Sequence, residues 1–459
     1  MSRKQPRFLL LIFIALSQFS SAFMHSIVGI TLPDMGRELD ASGVEMGLVE
    51  SIFLGTAAAL LLPIGRLADA TDKNTLFKGG LLALAIATFA IGFQPSMETI
   101  IGARFFQGAA AAVLTATGIA IVAQIAPPNQ LGQMLGLAIS ATYLGLASGP
   151  FFSGLITTHL GWRWVFFLAA IPPLLSYFLA RRTLRSHWQP PTNPVNLTNS
   201  GLLATSIIAI IAGAAMLKQT VTGLILTALG ICLATLFVIV ERRSSNPLLQ
   251  IDDITANPVL SRALSAQFLI YCGTIGTTFL LSIYLQLIKG NTPETTGHIL
   301  VLGPVVMAIF APLAGRVADR VSPRRISAMG ATSILCSVAL ASLIDETTGV
   351  SLIIAIMVFQ GLGFALFSAP NIALIMNSVD PTEHGMASAL SAVMRSFGMV
   401  ISMFIVTAFL SMRLGDIAID ESPADFLSAM RWSFLIFSIL AALGIAQAVR
   451  PQRQKANTE

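Results

Sequence analysis

Apolar residues run through this chain in blocks, each closed by a short cluster of polar, Gly or Pro positions. The blocks are roughly 20 residues long, the length a helix needs to cross the hydrocarbon of a bilayer. Helix is also the open-chain structure that satisfies its own backbone hydrogen bonds there. The pattern predicts spans at 8–31, 46–67, 75–93, 97–124, 131–158 and 162–181, then at 201–217 and 221–240. Six more follow at 262–288, 294–314, 326–344, 350–377, 384–411 and 429–449. Polar stretches from Arg182 to Ser200 and from Glu241 to Ser261 set the middle pair apart. The expected fold is an all-α polytopic membrane protein with fourteen transmembrane helices. It divides into an N-terminal six-helix bundle (1–181), linkers with an inserted helix pair (182–261), a C-terminal six-helix bundle (262–449) and a tail (450–459). The opening stretch has the basic-then-apolar order of a signal peptide. Its apolarity continues to Ile30 and many spans follow, so it reads as an uncleaved first helix.

The two six-span groups share short motifs. Gly65-Arg66-Leu67-Ala68-Asp69 returns as Gly315-Arg316-Val317-Ala318-Asp319, followed by Arg320. Phe106-Gln107-Gly108 returns as Phe359-Gln360-Gly361 at nearly the same offset. Matched motifs at one offset indicate a duplicated half. Parallel repeats in a membrane chain imply a transporter that works by alternating access around a site between its halves. The charged motif sits at the mouth of a span, where its carboxylate can cap a helix N-terminus or pair with Arg and so hold one conformation. An ordinary basic loop serving topology is the plainer reading of a single copy; two copies favour a gate.

Composition narrows the class. Of 459 residues, 55% are hydrophobic and 11% charged, with a mean hydropathy of +0.79. A soluble domain has about a quarter charged residues. The net charge of +5 could point to nucleic acid, but most of the 27 Lys and Arg lie in alternate loops and in the tails and form no stripe. That alternation places both termini in the cytoplasm. Cys232, Cys272 and Cys336 stand alone in apolar spans and read as packing residues. The sequence has no P-loop, no His/Cys cluster and no hydrolytic constellation. The expectation is a non-enzyme with no cofactor and no metal, driven by a gradient.

Charge inside spans is costly and marks function. Arg104 and Arg395 lie within spans, and Glu50 stands about one turn inside the second span, with His25 in the outer third of the first. An acid so near a helix end can also snorkel to water. Phe and Met are abundant, 28 and 17, and could line an adaptable apolar pocket. Gln107, Tyr271, Tyr284, Gln286, Asn371 and Arg395 are the candidates for a substrate cavity. The fifth span carries Gly145, Gly149, Pro150 and Gly154, a small-residue groove interrupted by a bend.

These motifs resemble the major facilitator superfamily, and specifically its fourteen-helix drug:proton antiporter branch, over essentially the whole chain. Gly65 to Lys73 resembles the family's loop motif, with Asp72 where the motif has its later Gly; Asp72 tolerates a left-handed turn better than most residues. Arg104-Phe105-Phe106-Gln107-Gly108 resembles the buried Arg motif, and Gly145 to Gly154 the antiporter motif, which implies export. Met24 stands where relatives carry an acid. With that acid absent, Glu50, Arg104 and His25 become the proton-coupling candidates. The resemblance implies proton-coupled efflux of amphipathic, cationic, drug-like compounds by a monomer in a bacterial inner membrane. The alternative is a same-fold transporter of a defined metabolite, peptide or lipid without strict antiport. A non-transporting membrane sensor is the rival class, disfavoured by motifs in both halves.

Overall fold

The structure is a computed structural model that describes residues 7–125, 131–184, 196–219, 221–244, 247–248, 251–318, 321–380, 384–415 and 417–449. Every long element among them is a helix. The first half contains α1 (Arg7–Ser26), α2 (Val28–Glu38), α3 (Gly43–Ala70), α4 (Lys73–Ile91), α5 (Met97–Ile125), α6 (Leu131–Leu160), α7 (Trp162–Ala169) and α8 (Ile171–Thr183). The hairpin α9 (Leu197–Ala215) and α10 (Val221–Arg243) follows, then the short α11 (Ile251–Ala256). The second half contains α12 (Pro258–Tyr271), α13 (Thr274–Ile283), α14 (Pro293–Leu300), α15 (Leu302–Ala318), α16 (Pro323–Ala341), α17 (Val350–Met376), α18 (His384–Arg413) and α19 (Pro423–Val449). The chain is a multi-pass membrane protein. Eleven helices among the described residues are long and apolar enough to span, and a twelfth if the bent pair α1–α2 counts as one. Two more rods, α6 and α16, occupy the remaining positions of the expected fourteen; Arg324 and Arg325 in its first turn make α16 less apolar.

Local chemistry sets the ends. Ser42 and Glu45 form a reciprocal capping box that starts α3. Asp72 caps α4 from an extended backbone, accepting from the Asn74 amide at 3.1 Å, so no left-handed turn is needed there. The helix before it runs on to Ala70, which puts Arg66 and Asp69 inside its C-terminal end and not in a loop. Among the described residues, a β-carbon added at Gly65 would meet nothing within 4 Å. Pro33 shapes α2: a proline has no N–H to offer the carbonyl four residues back, which here is Gly29. The axis bends by 45° between α1 and α2, and the Gly29 carbonyl accepts from the Ser282 hydroxyl of α13 instead.

That contact belongs to a seam. Taking the near end as the one where α1 begins, the hydrogen bonds that stitch the halves gather toward the far end. Gln286 Nε2 donates to Ile30 O at 3.0 Å, and Arg37 donates to Gln286 O at 3.3 Å. Ser51 and Thr407 pair at 3.1 Å where α3 crosses α18. On α14 the Glu294 amide donates to Thr158 at 3.1 Å, and its carboxylate meets His159 at 3.4 Å. Glycine brings α6 to this seam: a β-carbon at Gly154 would lie 2.5 Å from Pro293 O. On its other side α6 lies against α1, where Ser26 donates to Gly145 O at 3.3 Å.

The inserted hairpin leans on both halves. Ile207 and Ile211 of α9 bury against Gly55 of α3. Ser411 of α18 donates to Ala215 O at 2.9 Å and accepts from the Lys218 amide at 3.1 Å. Much of α10 faces outward, including Val221, Leu224, Ile225 and Ile231, as suits a lipid-facing helix.

Candidate functional site

Arg104 is fully buried on α5. Moving such a guanidinium to the centre of a span costs about 2.5–3.5 kcal/mol on insertion scales unless it is matched. Here it is matched on every side. Its Nη2 donates to Glu50 Oε2 at 2.8 Å, its Nε to Val49 O at 3.0 Å and its Nη1 to Gln107 Oε1 at 2.5 Å. The Phe53 ring lies 4.0 Å under the guanidinium carbon. Glu50 and Phe53 are three residues apart on α3, so both project from one face toward α5. Arg104 and Gln107 repeat that spacing on α5.

Gln107 extends the network to α4 and α1. Its Nε2 donates to Thr88 Oγ1 at 2.8 Å and touches the Met24 sulfur at 3.5 Å. Thr88 in turn donates to Leu84 O at 2.6 Å. Met24 is thus buried as a weak acceptor in the polar cluster. His25, next to it, sets its ring edge-on to Phe53 at 4.8 Å between centroids and lies within electrostatic reach of Arg104 and Arg395. Two buried polar atoms of this cluster have no partner, Glu50 Oε1 and His25 Nδ1. An orphaned polar atom costs about 1–3 kcal/mol, so each marks a place that a proton or a second conformation can use.

The other sequence candidates scatter. Asn371 is buried beside Gln267, donating to its Oε1 at 3.1 Å and to Ala263 O at 3.2 Å, while Gln267 donates to Ser391 O at 2.8 Å. Tyr271 pairs its hydroxyl with Ser368 at 3.2 Å. Tyr284 is committed to Asp345 O at 2.8 Å, and Gln286 to the far-end seam. Arg395 is half-buried on α18. Arg66 donates to Pro247 O at 2.5 Å, tying the end of α3 to the linker after the hairpin. The side chains of Asp69, Gly315 and Arg316, and the whole of Asp319 and Arg320, lie outside the described residues. Trp162 and Arg163, after the antiporter-type motif, both bind Glu38 of α2, Trp162 at 2.7 Å.

Sequence reading missed Phe53, Thr88 and Gln267. Phe53 had a signal, its helical spacing from Glu50. Thr88 and Gln267 are neutral, and nothing in an apolar span sets them apart from packing residues.

A model of the Major Facilitator Superfamily matches residues 14–249 and 263–459. The chain is 25% identical over 418 residues to a riboflavin transporter of Clostridioides difficile, covering 89% of this chain and 90% of that one. It is 28% identical over 394 residues to a multidrug efflux pump of Mycolicibacterium smegmatis, covering 84% and 78%. A crystal structure of a nucleoside transporter superposes with a TM-score of 0.64 at 15% identity, covering 96% and 99%, a likeness of fold.

Proposed function

This chain belongs to the Major Facilitator Superfamily and is a membrane transporter, and on that premise we propose that it exports amphipathic small molecules in exchange for protons. One observation carries the reading: a buried Glu50–Arg104 ion pair whose second carboxylate oxygen has no partner. A proton arriving on that oxygen neutralises the carboxylate, loosens its hold on Arg104 and frees the network through Gln107 to α4 and α1. Removing one partner of a buried pair costs about 3–5 kcal/mol, ample to reset a two-state balance. Proton loading and conformation are coupled by this route. His25, with its own free ring nitrogen, is the second proton acceptor.

The described hydrogen bonds between the halves hold them together at the far end, and we read that as the side closed in this state. We take the near end as cytoplasmic, in a bacterial inner membrane, with a single chain as the working unit and no chemical change to the cargo. The similarity to multidrug efflux and drug-export proteins supports export of varied compounds. The riboflavin transporter supports a second reading, carriage of one defined metabolite. Purified protein in weak buffer, titrated with a library of organic cations and anions under a pH electrode, tests both. Proton release evoked by several unrelated compounds is expected. Release by a single compound favours the second reading, and substrate binding without release removes proton exchange.

A further inference from the structure

Arg395 is a second arginine within the spans, half-buried, and among the described residues it has no match. Among the described residues no carboxylate and no hydrogen-bond acceptor pairs with its guanidinium. Arg104 has Glu50, a carbonyl, an amide oxygen and an aromatic face. Arg395 has none of these, although it stands well inside α18.

Its position explains what it faces. Arg395 lies about a dozen residues from the near end of its helix, roughly 17 Å at the helical rise, and Tyr143 on α6 and Tyr271 on α12 lie at similar depth. Tyr143 belongs to the first half, yet it lies within electrostatic reach of both Tyr271 and Arg395 of the second. His25 on α1, also in the first half, lies within reach of Arg395. The guanidinium therefore lies within electrostatic reach of side chains from both halves, and one turn on from it a β-carbon at Gly398 would lie 2.9 Å from Tyr271, so this part of α18 packs on α12.

The interior charges decide the sign. Among the described residues within the spans, Glu50 is balanced by Arg104, and Arg395 is left without a countercharge. A cation placed beside an unpaired guanidinium is repelled and an anion is attracted. We propose that Arg395 docks the anionic group, a carboxylate, sulfonate or phosphate, of an amphipathic molecule bound between the halves. Tyr143 and Tyr271 place hydroxyls near that group, and Phe364, stacked on Tyr271 at 5.3 Å, offers an apolar surface for the rest. The proposal rests on the transport reading for its purpose and replaces the cationic expectation drawn from the family resemblance.

The full chain in nanodiscs of phosphatidylcholine, titrated with fluorescein and with rhodamine 6G, compares an anion and a cation on one ring frame. Fluorescence anisotropy should show tighter binding of fluorescein. Arg395→Gln should weaken fluorescein by about tenfold or more, the scale of a charge-assisted contact, while rhodamine 6G binds equally or better. Arg395→Lys should keep the anion preference, which separates lost charge from lost folding. Adding phosphatidylglycerol identifies the source: competition with fluorescein assigns the anion to a lipid headgroup, and no competition assigns it to a soluble amphiphile. Tighter rhodamine 6G binding by the wild type, fluorescein affinity unchanged within twofold in Arg395→Gln, or binding of neither dye overturns the proposal. Binding is read without transport, so a failure of proton release would strike the transport reading and leave this result standing.

Discussion

Arg104 shows how a span tolerates a charge. Each guanidinium nitrogen has its own acceptor, from α3 or from α5 itself, so the burial cost is met locally. Arg104→Gln should lower the thermal stability of purified protein by about 3–5 kcal/mol, because Glu50 is left buried without its partner. Glu50→Gln/Arg104→Gln should be more stable than Arg104→Gln alone, since neither charge then remains. Equal stabilities would show that the pair does not interact. The pairing was partly legible in the sequence: both residues enter from the same side at similar depth, and both are charges in apolar surroundings. Thr88 and Gln107 were not legible as a pair. A hydroxyl in an apolar helix carries no sequence signal that says which amide it will meet. Met24 was legible only as a missing acid, and its sulfur turns out to face the same amide.

At the level of elements, the prolines and glycines decide where the halves touch. Pro33 frees the Gly29 carbonyl and Ser282 takes it, so one residue of α13 repairs the bend of α1–α2. Gly154 lets the α14 backbone approach α6 at the same end. Ser282→Ala removes a bond of about 1 kcal/mol net, enough for a severalfold shift away from the state closed at the far end. Spin labels at exposed positions Leu160 and Met412 should report a larger population of long distances in that variant. An unchanged distribution would take the seam out of the gating account. Apolar periodicity predicted the spans, because the lipid requirement is written into block length. It did not predict the break at Ile27, because Gly29 lies within an apolar block that reads as one span and Pro33 comes just after it. The sequence pattern ends the second span near Gly65 with Asp69 in a turn beyond it, whereas α3 carries the whole first copy within its C-terminal end and stops at Ala70, before Asp72 starts the next helix.

The whole molecule presents two halves joined at the far end and a hairpin braced on α3 and α18. The basic loops support our proposal of a cytoplasmic near end, and on that proposal cysteines put at exposed Ser322 and Glu421 should label from opposite sides of a cell membrane. Labelling of both from one side would overturn the topology. Proton exchange through Glu50 is the central claim, and transport in proteoliposomes tests it most directly. With a substrate found by proton release, wild-type protein should concentrate it against its gradient when a pH gradient is imposed. Glu50→Gln should still exchange labelled for unlabelled substrate downhill, yet show no uphill movement at any imposed pH difference. Uphill transport by Glu50→Gln at the wild-type rate would contradict the account.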